Sequence, residues 1–427
     1  MRVSPRITAT LLAGAALFAV STAPALAQQA PAGEVEALRA QVQALMARIE
    51  KLEKAPSTPA GPPASKDAPL VSADVFKAPQ VTQSGNSKVK LMLSGQVGRA
   101  VQFADDGFDS DTMFVDNSQS SSRVRVAGTA KLDDNWTAGS DIEFETSSGS
   151  SRNMGFSNND GSGTNAATNT IFSINERKVE FWVQHKNFGR IWVGQGDTAT
   201  NVTSEVDLSG TATLISHTDI GSLFGGVLFR NKATRATGPN INAVFNNFDG
   251  LSRDDRVRYD TPTFGGFMLS TSFIEGGATD FAGRYTGKIG DTEVSGAIGY
   301  VDNDARSGFD TQTNGSISVK FASGFNVTAA AGTRDIGPRD SDFWYGKLGY
   351  LANLTGLGNS SFVVDYLVQK DLAVAGGDAK AWSVGYVQTI DAFATDFYLS
   401  YRNHSYDTRT VKRSEERRVG KECRSRW

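Results

Sequence analysis

SRVRVAGTAKL, residues Ser122 to Leu132, places Val124, Val126, Ala130 and Leu132 on one face of an extended chain and Arg123, Arg125, Thr129 and Lys131 on the other. A period of two is the signature of a β-strand with unlike faces. The same alternation returns in DIEFET, where Ile142 and Phe144 oppose Asp141, Glu143 and Glu145. It recurs in VEFWVQ, GRIWVG, DRVRYDTP, GFMLSTSF, EVSGAIGY, GSISVKF, FWYGKLGY, SFVVDYLVQ, AWSVGYVQ and TDFYLSYRN. Short turns such as LDDN, KNFG and ASGF alternate with longer loops rich in Gly, Asn, Asp and Ser. The pattern begins near Ser87 and predicts an all-β, antiparallel sheet protein.

Two architectures use such strands. A soluble sandwich turns its apolar faces inward, whereas a transmembrane β-barrel turns them outward to lipid around a polar lumen. The polar faces here carry Arg, Lys, Asp and Glu on strand after strand, which a dry core would bury only at great cost. Aromatic residues stand near strand ends, at Trp136, Trp192, Tyr259, Tyr300, Tyr350 and Tyr401, where interfacial girdles belong. Forty-four glycines, twenty-five phenylalanines and a mean hydropathy of −0.30 argue against a helical membrane protein. The barrel is the expected fold.

The front of the chain is organised differently. Arg2 and Arg6 precede an apolar run, Leu11 to Val20, and the small residues of APALA end at Ala27. This reads as a secretory signal peptide over residues 1–27; ten or so apolar residues are too few to span a hydrocarbon core of roughly 30 Å. In residues 28–54, Val35, Leu38, Val42, Leu45, Ile49 and Leu52 recur at steps of three and four, the seam of a coiled coil. A proline-rich linker is expected over 55–86.

The stretches FGRIWVGQGDTATNVTSEVDLSGT and DRVRYDTPTFGGFMLSTSF resemble the general porins of Gram-negative bacteria, in particular proteobacterial trimeric porins with an N-terminal coiled coil. The resemblance runs from about Ser87 to Arg409. It implies an outer-membrane barrel of about 16 strands around a water-filled pore, assembled as a homotrimer and passing ions and small hydrophilic solutes. A rival reading makes the barrel an anchor whose coiled coil engages periplasmic material. The β-branched seam positions by themselves favour two strands, but the trimer of the resembling family is the expectation taken.

The segment from Asp197 to about Asp255 is too long for an ordinary connector. In porins such a loop folds into the lumen. Its Asp197, Glu205, Asp207 and Asp219 would then face a basic wall of Arg99, Arg123, Arg125, Arg256 and Arg258, and opposed charges across a constriction sort ions by sign. Phe224, Phe229, Phe245 and Phe248 have no ordered spacing that would suggest a sugar path.

No catalytic constellation or metal site is expected. His185, His217 and His404 lie far apart, and the one cysteine is Cys423. No cofactor is implied. With 43 basic and 46 acidic residues, the chain is not suited to nucleic acid. The final stretch RSEERRVGKECRSRW, residues 413–427, lacks any alternation and matches the in-frame translation of a sequencing adapter. Residues 87–412 therefore read as a barrel with about fifteen strands, one short of an even number, and Cys423 carries no functional meaning.

Overall fold

The computed structural model describes residues 2–3, 10–11, 80–82, 88–156, 173–303, 305–306 and 308–408. Within them the chain is nearly all strand. Fifteen long strands follow in order: β1 Val89–Gln96, β2 Arg123–Lys131, β3 Trp136–Ser147, β4 Ser173–His185, β5 Gly189–Asp197, β6 Arg253–Asp260, β7 Phe267–Ile274 and β8 Thr279–Ile289. They continue as β9 Thr292–Asp302, β10 Thr311–Lys320, β11 Phe325–Asp335, β12 Asp340–Ala352, β13 Ser360–Lys370, β14 Gly377–Ile390 and β15 Thr395–Thr408. Each pairs antiparallel with the next, from β1·β2 through β14·β15.

Register is fixed by the alternation, because a slip of one residue would exchange the two faces of a strand. On one face stand exposed apolar residues: Val124 and Val126 on β2, Phe144 on β3, Val193 on β5, Ile298 on β9, Trp344 and Leu348 on β12, Val384 on β14. On the other face stand buried polar ones: Glu143, Lys178, Ser272, Asn314, Ser318, Lys347, Asp365 and Arg402. A water-soluble sandwich is built the opposite way round. Exposing the apolar face costs nothing in hydrocarbon, and strands β2 to β14 are paired with a neighbour on both sides, as backbone groups there require.

The sheet is not closed. Gln80–Thr82 runs beside the free edge of β1, and Arg2–Val3 and Thr10–Leu11 run beside that of β15, but these short strands do not pair across to each other. After β1 the chain breaks from the sheet at Val97 and Gly98. Residues Arg99–Asp105 instead form a separate two-stranded sheet with Ser110–Asp116. The expected coiled coil, the linker to residue 79 and the segment 413–427 lie outside the described residues, as does the expected signal peptide apart from its two short strands.

Residues 198–252 leave the sheet after β5 and return at β6. They turn back onto its polar face. Ile215, Ile220, Phe224, Phe229, Phe245 and Phe248 are buried in one cluster with Phe343, Tyr345, Leu367, Tyr398 and Tyr406 of β12 to β15. All four phenylalanines of the segment are thus used as anchors, which explains their lack of any ordered spacing.

Candidate functional site

The backbone of the in-folded segment crosses strands that offer it hydrogen-bonding groups in place of water. Ala199 N–H donates to Ser272 Oγ at 2.7 Å, and Thr200 N–H and Oγ1–H donate to Asp280 Oδ2 at 2.8 and 2.6 Å. Further along, Val206 N–H donates to Ser316 Oγ at 2.9 Å and Leu208 N–H to Ser318 Oγ at 3.0 Å. Ser316 Oγ–H in turn reaches Thr203 C=O at 2.8 Å. Serines and carboxylates recur on the inward face of β7 to β10 because a buried non-repetitive backbone must be satisfied by something. Gly299 on β9 keeps space open, since a Cβ there would meet Thr203 Oγ1 at 2.7 Å.

Lys347 of β12 is a buried pin. Its Nζ pairs with Asp207, donates to Ser216 C=O at 2.8 Å and lies 3.2 Å from Ser209 Oγ. Arg402 of β15 donates to Ile215 C=O at 2.7 Å, and Gln312 of β10 to Phe248 C=O at 2.7 Å. These contacts tie both halves of the segment to one side of the sheet.

A cavity of about 440 Å³ remains between the segment and β2 to β4. On the segment side it is lined by Glu205, His217, Asp219 and Asp249, and on the sheet side by Arg123, Arg177, Glu145 and Arg253, the first residue of β6, with serines and Arg152 between. Among the described residues, Val202 is its only aliphatic lining residue. Arg177 bridges Glu143 and Glu145, both at 2.6 Å, while Arg123 reaches Glu143 at 3.3 Å and Ser120 Oγ at 2.6 Å. Arg152 pairs with Asp219 and donates to Asn242 Oδ1 at 2.8 Å.

Three titratable groups of the segment are packed together. Glu205 lies 3.4 Å from His217 Nε2 and accepts from Asn247 Nδ2 at 2.7 Å. Asp219 N–H donates to His217 Nδ1 at 3.1 Å, and Asp249 accepts from Val202 N–H at 2.9 Å. Burial opposes charge on Glu205, but His217 and Asn247 outweigh it and hold the carboxyl below its ordinary range. Burial also opposes charge on His217, and Glu205 outweighs it, so its pKa is raised. Asp249 is pushed up to about 8 by burial and by the neighbouring Glu205 carboxylate.

The expected charged residues divide among several places. Glu205, Asp219 and Arg123 line the cavity. Asp197, the last residue of β5, is held by Lys178 at 2.5 Å and Arg253 at 2.9 Å. Asp207 is buried against Lys347, away from the cavity. Arg125 pairs with Asp141 at 2.7 Å. Arg256 is buried against Glu180 and donates to Gly194 C=O at 2.7 Å; Arg258 pairs with Asp260 at 2.8 Å and donates to Thr198 C=O at 3.0 Å. Arg99 is not on the wall at all, because the break after Gln96 places it on the separate hairpin, paired with Asp116 at 2.7 Å.

Sequence reading passed over Arg152, Arg177, His217, Asp249 and Arg253. Arg177 was hidden by a β-bulge: Glu143 faces Lys178 but Phe144 faces Glu176, so one residue is extra and Arg177 and Lys178 both turn inward. Trp192, expected in an interfacial girdle, is turned inward by the same alternation that leaves Ile191 and Val193 exposed. It stands across from Trp182 on the polar face, with ring centroids 5.9 Å apart, and not in an outer girdle. Among the described residues no group of three His, Cys, Asp or Glu side chains could hold a metal ion.

A search of curated proteins finds no match. Solved structures with a similar chain course include an anion-selective porin from Comamonas acidovorans, at 18% identity, TM-score 0.47, covering 75% of this chain and 100% of that one. They also include Salmonella typhi OmpF in complex with daunomycin, at 13% identity, TM-score 0.43, covering 77% of this chain and 100% of that one. The outer membrane channel DcaP of Acinetobacter baumannii is similar at 12% identity, TM-score 0.44, with 77% and 100% covered. A family model described as Gram-negative porin matches residues 68–409. On that match, over most of its length, the chain belongs to the Gram-negative porin family and is an outer-membrane channel.

Proposed function

We propose that the 440 Å³ cavity is the constriction of a passive, water-filled pore. Its polar lining carries the reading: Glu205, Asp219 and Asp249 stand on the in-folded segment, with Arg123 and Arg177 on the sheet. Ions and small hydrophilic solutes pass between walls of opposite sign, and the field between those walls orders water and sorts permeants by charge. Apolar solutes gain nothing from such a lining. The working unit is a homotrimer in the outer membrane, reached by export with cleavage of residues 1–27, and the barrel performs no catalysis. The seam Val35, Leu38, Val42, Leu45, Ile49 and Leu52 joins the three protomers on the periplasmic side.

The charge assignment is tested by reversal potentials in a salt gradient across planar bilayers. Replacing Arg123 and Arg177 together by glutamine moves the channel towards cation preference, and E205Q with D219N moves it the other way. R256Q and R258Q, whose guanidinium groups are buried in pairs, have the smaller effect. Equal shifts from the two arginine pairs would place the constriction elsewhere.

A further inference from the structure

A second feature of the polar face lies apart from the cavity, at the end of the sheet where short turns join β2 to β3 and β4 to β5. Trp182 and Trp192 face each other across β4 and β5, and the Arg190 guanidinium lies over both rings, 4.3 Å from one centroid and 4.8 Å from the other. Gly139 on β3 is opposite Trp182, and any Cβ there would collide with the indole; the glycine lets that ring lie against the sheet. Trp192 Nε1–H is fixed to Asp260 Oδ2 at 2.8 Å. The result is an aromatic floor bearing one cation.

The cation is not matched by an acid. Arg190 Nε donates to the neutral Gln184 amide oxygen at 2.8 Å, and Nη2 reaches the same atom. The nearby carboxylates are already committed: Asp141 is bonded to Arg125 at 2.7 Å and Asp260 to Arg258 at 2.8 Å. Arg190 therefore keeps its positive charge and its Nη1 donors on a half-buried, inward-facing surface. A guanidinium held flat on indoles offers two things to a solute: a charge-assisted hydrogen bond from its edge and a planar face for stacking.

We propose that Arg190, with Trp182 and Trp192 beneath it, is a solute subsite for ring-bearing monocarboxylates, of which benzoate is the simplest probe. The carboxylate meets Nη1 at the guanidinium edge, and the ring, coplanar with it, lies beyond that edge against the exposed part of Trp192. The inference rests on the reading of this face as the lumen. It adds a station with aromatic character to a pathway whose constriction has none.

Saturation-transfer difference NMR on the detergent-folded protein tests it with benzoate, benzamide and acetate. Benzoate ring protons receive saturation, neutral benzamide receives much less, and acetate fails to displace benzoate at equal concentration. Removing the charge with R190Q weakens benzoate binding about tenfold, the worth of one charge-assisted hydrogen bond. A second variant, Q184E, leaves the arginine in place but gives it an internal carboxylate, and it weakens binding to a similar degree. Both variants are compared with wild type by heat-modifiable migration, which reports the folded sheet. Benzoate binding unchanged in a folded R190Q or Q184E overturns the subsite, as does benzamide binding equal to benzoate or displacement by acetate. A protein that conducts normally yet fails these tests loses only the subsite; one that passes them but never conducts loses the pore reading and keeps the subsite.

Discussion

His217, Glu205 and Asp249 give the constriction a charge that depends on pH. Asp249 has its pKa pushed up to about 8 by burial and by Glu205, so its carboxyl is mostly protonated at neutral pH and ionises as the pH rises through that value. His217, raised by Glu205 against the effect of burial, holds its proton above the ordinary histidine range and loses it as the pH rises. Both changes have the same sign: the segment side of the cavity becomes more negative with rising pH. The reversal potential measured from pH 6 to 9 therefore moves towards cation preference. D249N removes the part of that movement around pH 8, and H217Q removes the part that comes from loss of the imidazole proton. A D249N channel that follows the wild-type curve through pH 8 would show that this carboxyl is already ionised. Strain accompanies this cluster, because Val202, a β-branched residue whose N–H binds Asp249, sits at φ 70°.

At the scale of elements, the decisive piece is segment 198–252 and the pins that hold it against β7 to β15. Lys347 is buried with Asp207, and removing one member of such a pair leaves an uncompensated charge at a cost of about 3–5 kcal/mol. K347M therefore loosens the segment, raises single-channel conductance and opens residues 198–252 to added protease. The double variant K347M/D207N, which removes both charges, restores much of the protection. Unchanged protection and conductance in K347M would mean that the phenylalanine anchors suffice. The strands themselves were legible in the sequence, since alternation such as that of Arg123 to Leu132 needs nothing beyond its own period. The segment's length and its acids were legible too. Its inward partners were less so: a bulge turned Arg177 inward and a break after Gln96 carried Arg99 off the sheet. Each of these is a departure from strict alternation, and a period-two reading cannot see where its own count changes.

For the molecule as a whole, the claim is that an apolar outer face meets lipid and a polar inner face meets water. A charge placed outward should then be costly and one placed inward should not. V193R, in the middle of β5 on the exposed apolar face, is expected to lower stability in lipid vesicles by roughly 2–4 kcal/mol if it lies near the bilayer midplane. Urea titration of the vesicle-folded protein measures it, and a loss near zero would place that face in water. The most direct test of the account is the current through single channels in planar bilayers, with and without residues Leu208 to Thr218. The full protein should give discrete, stepwise currents, and the deletion, which removes the part of the in-folded segment that carries His217, should give larger steps. Steps of unchanged size after the deletion, or no steps from the full protein, would contradict it.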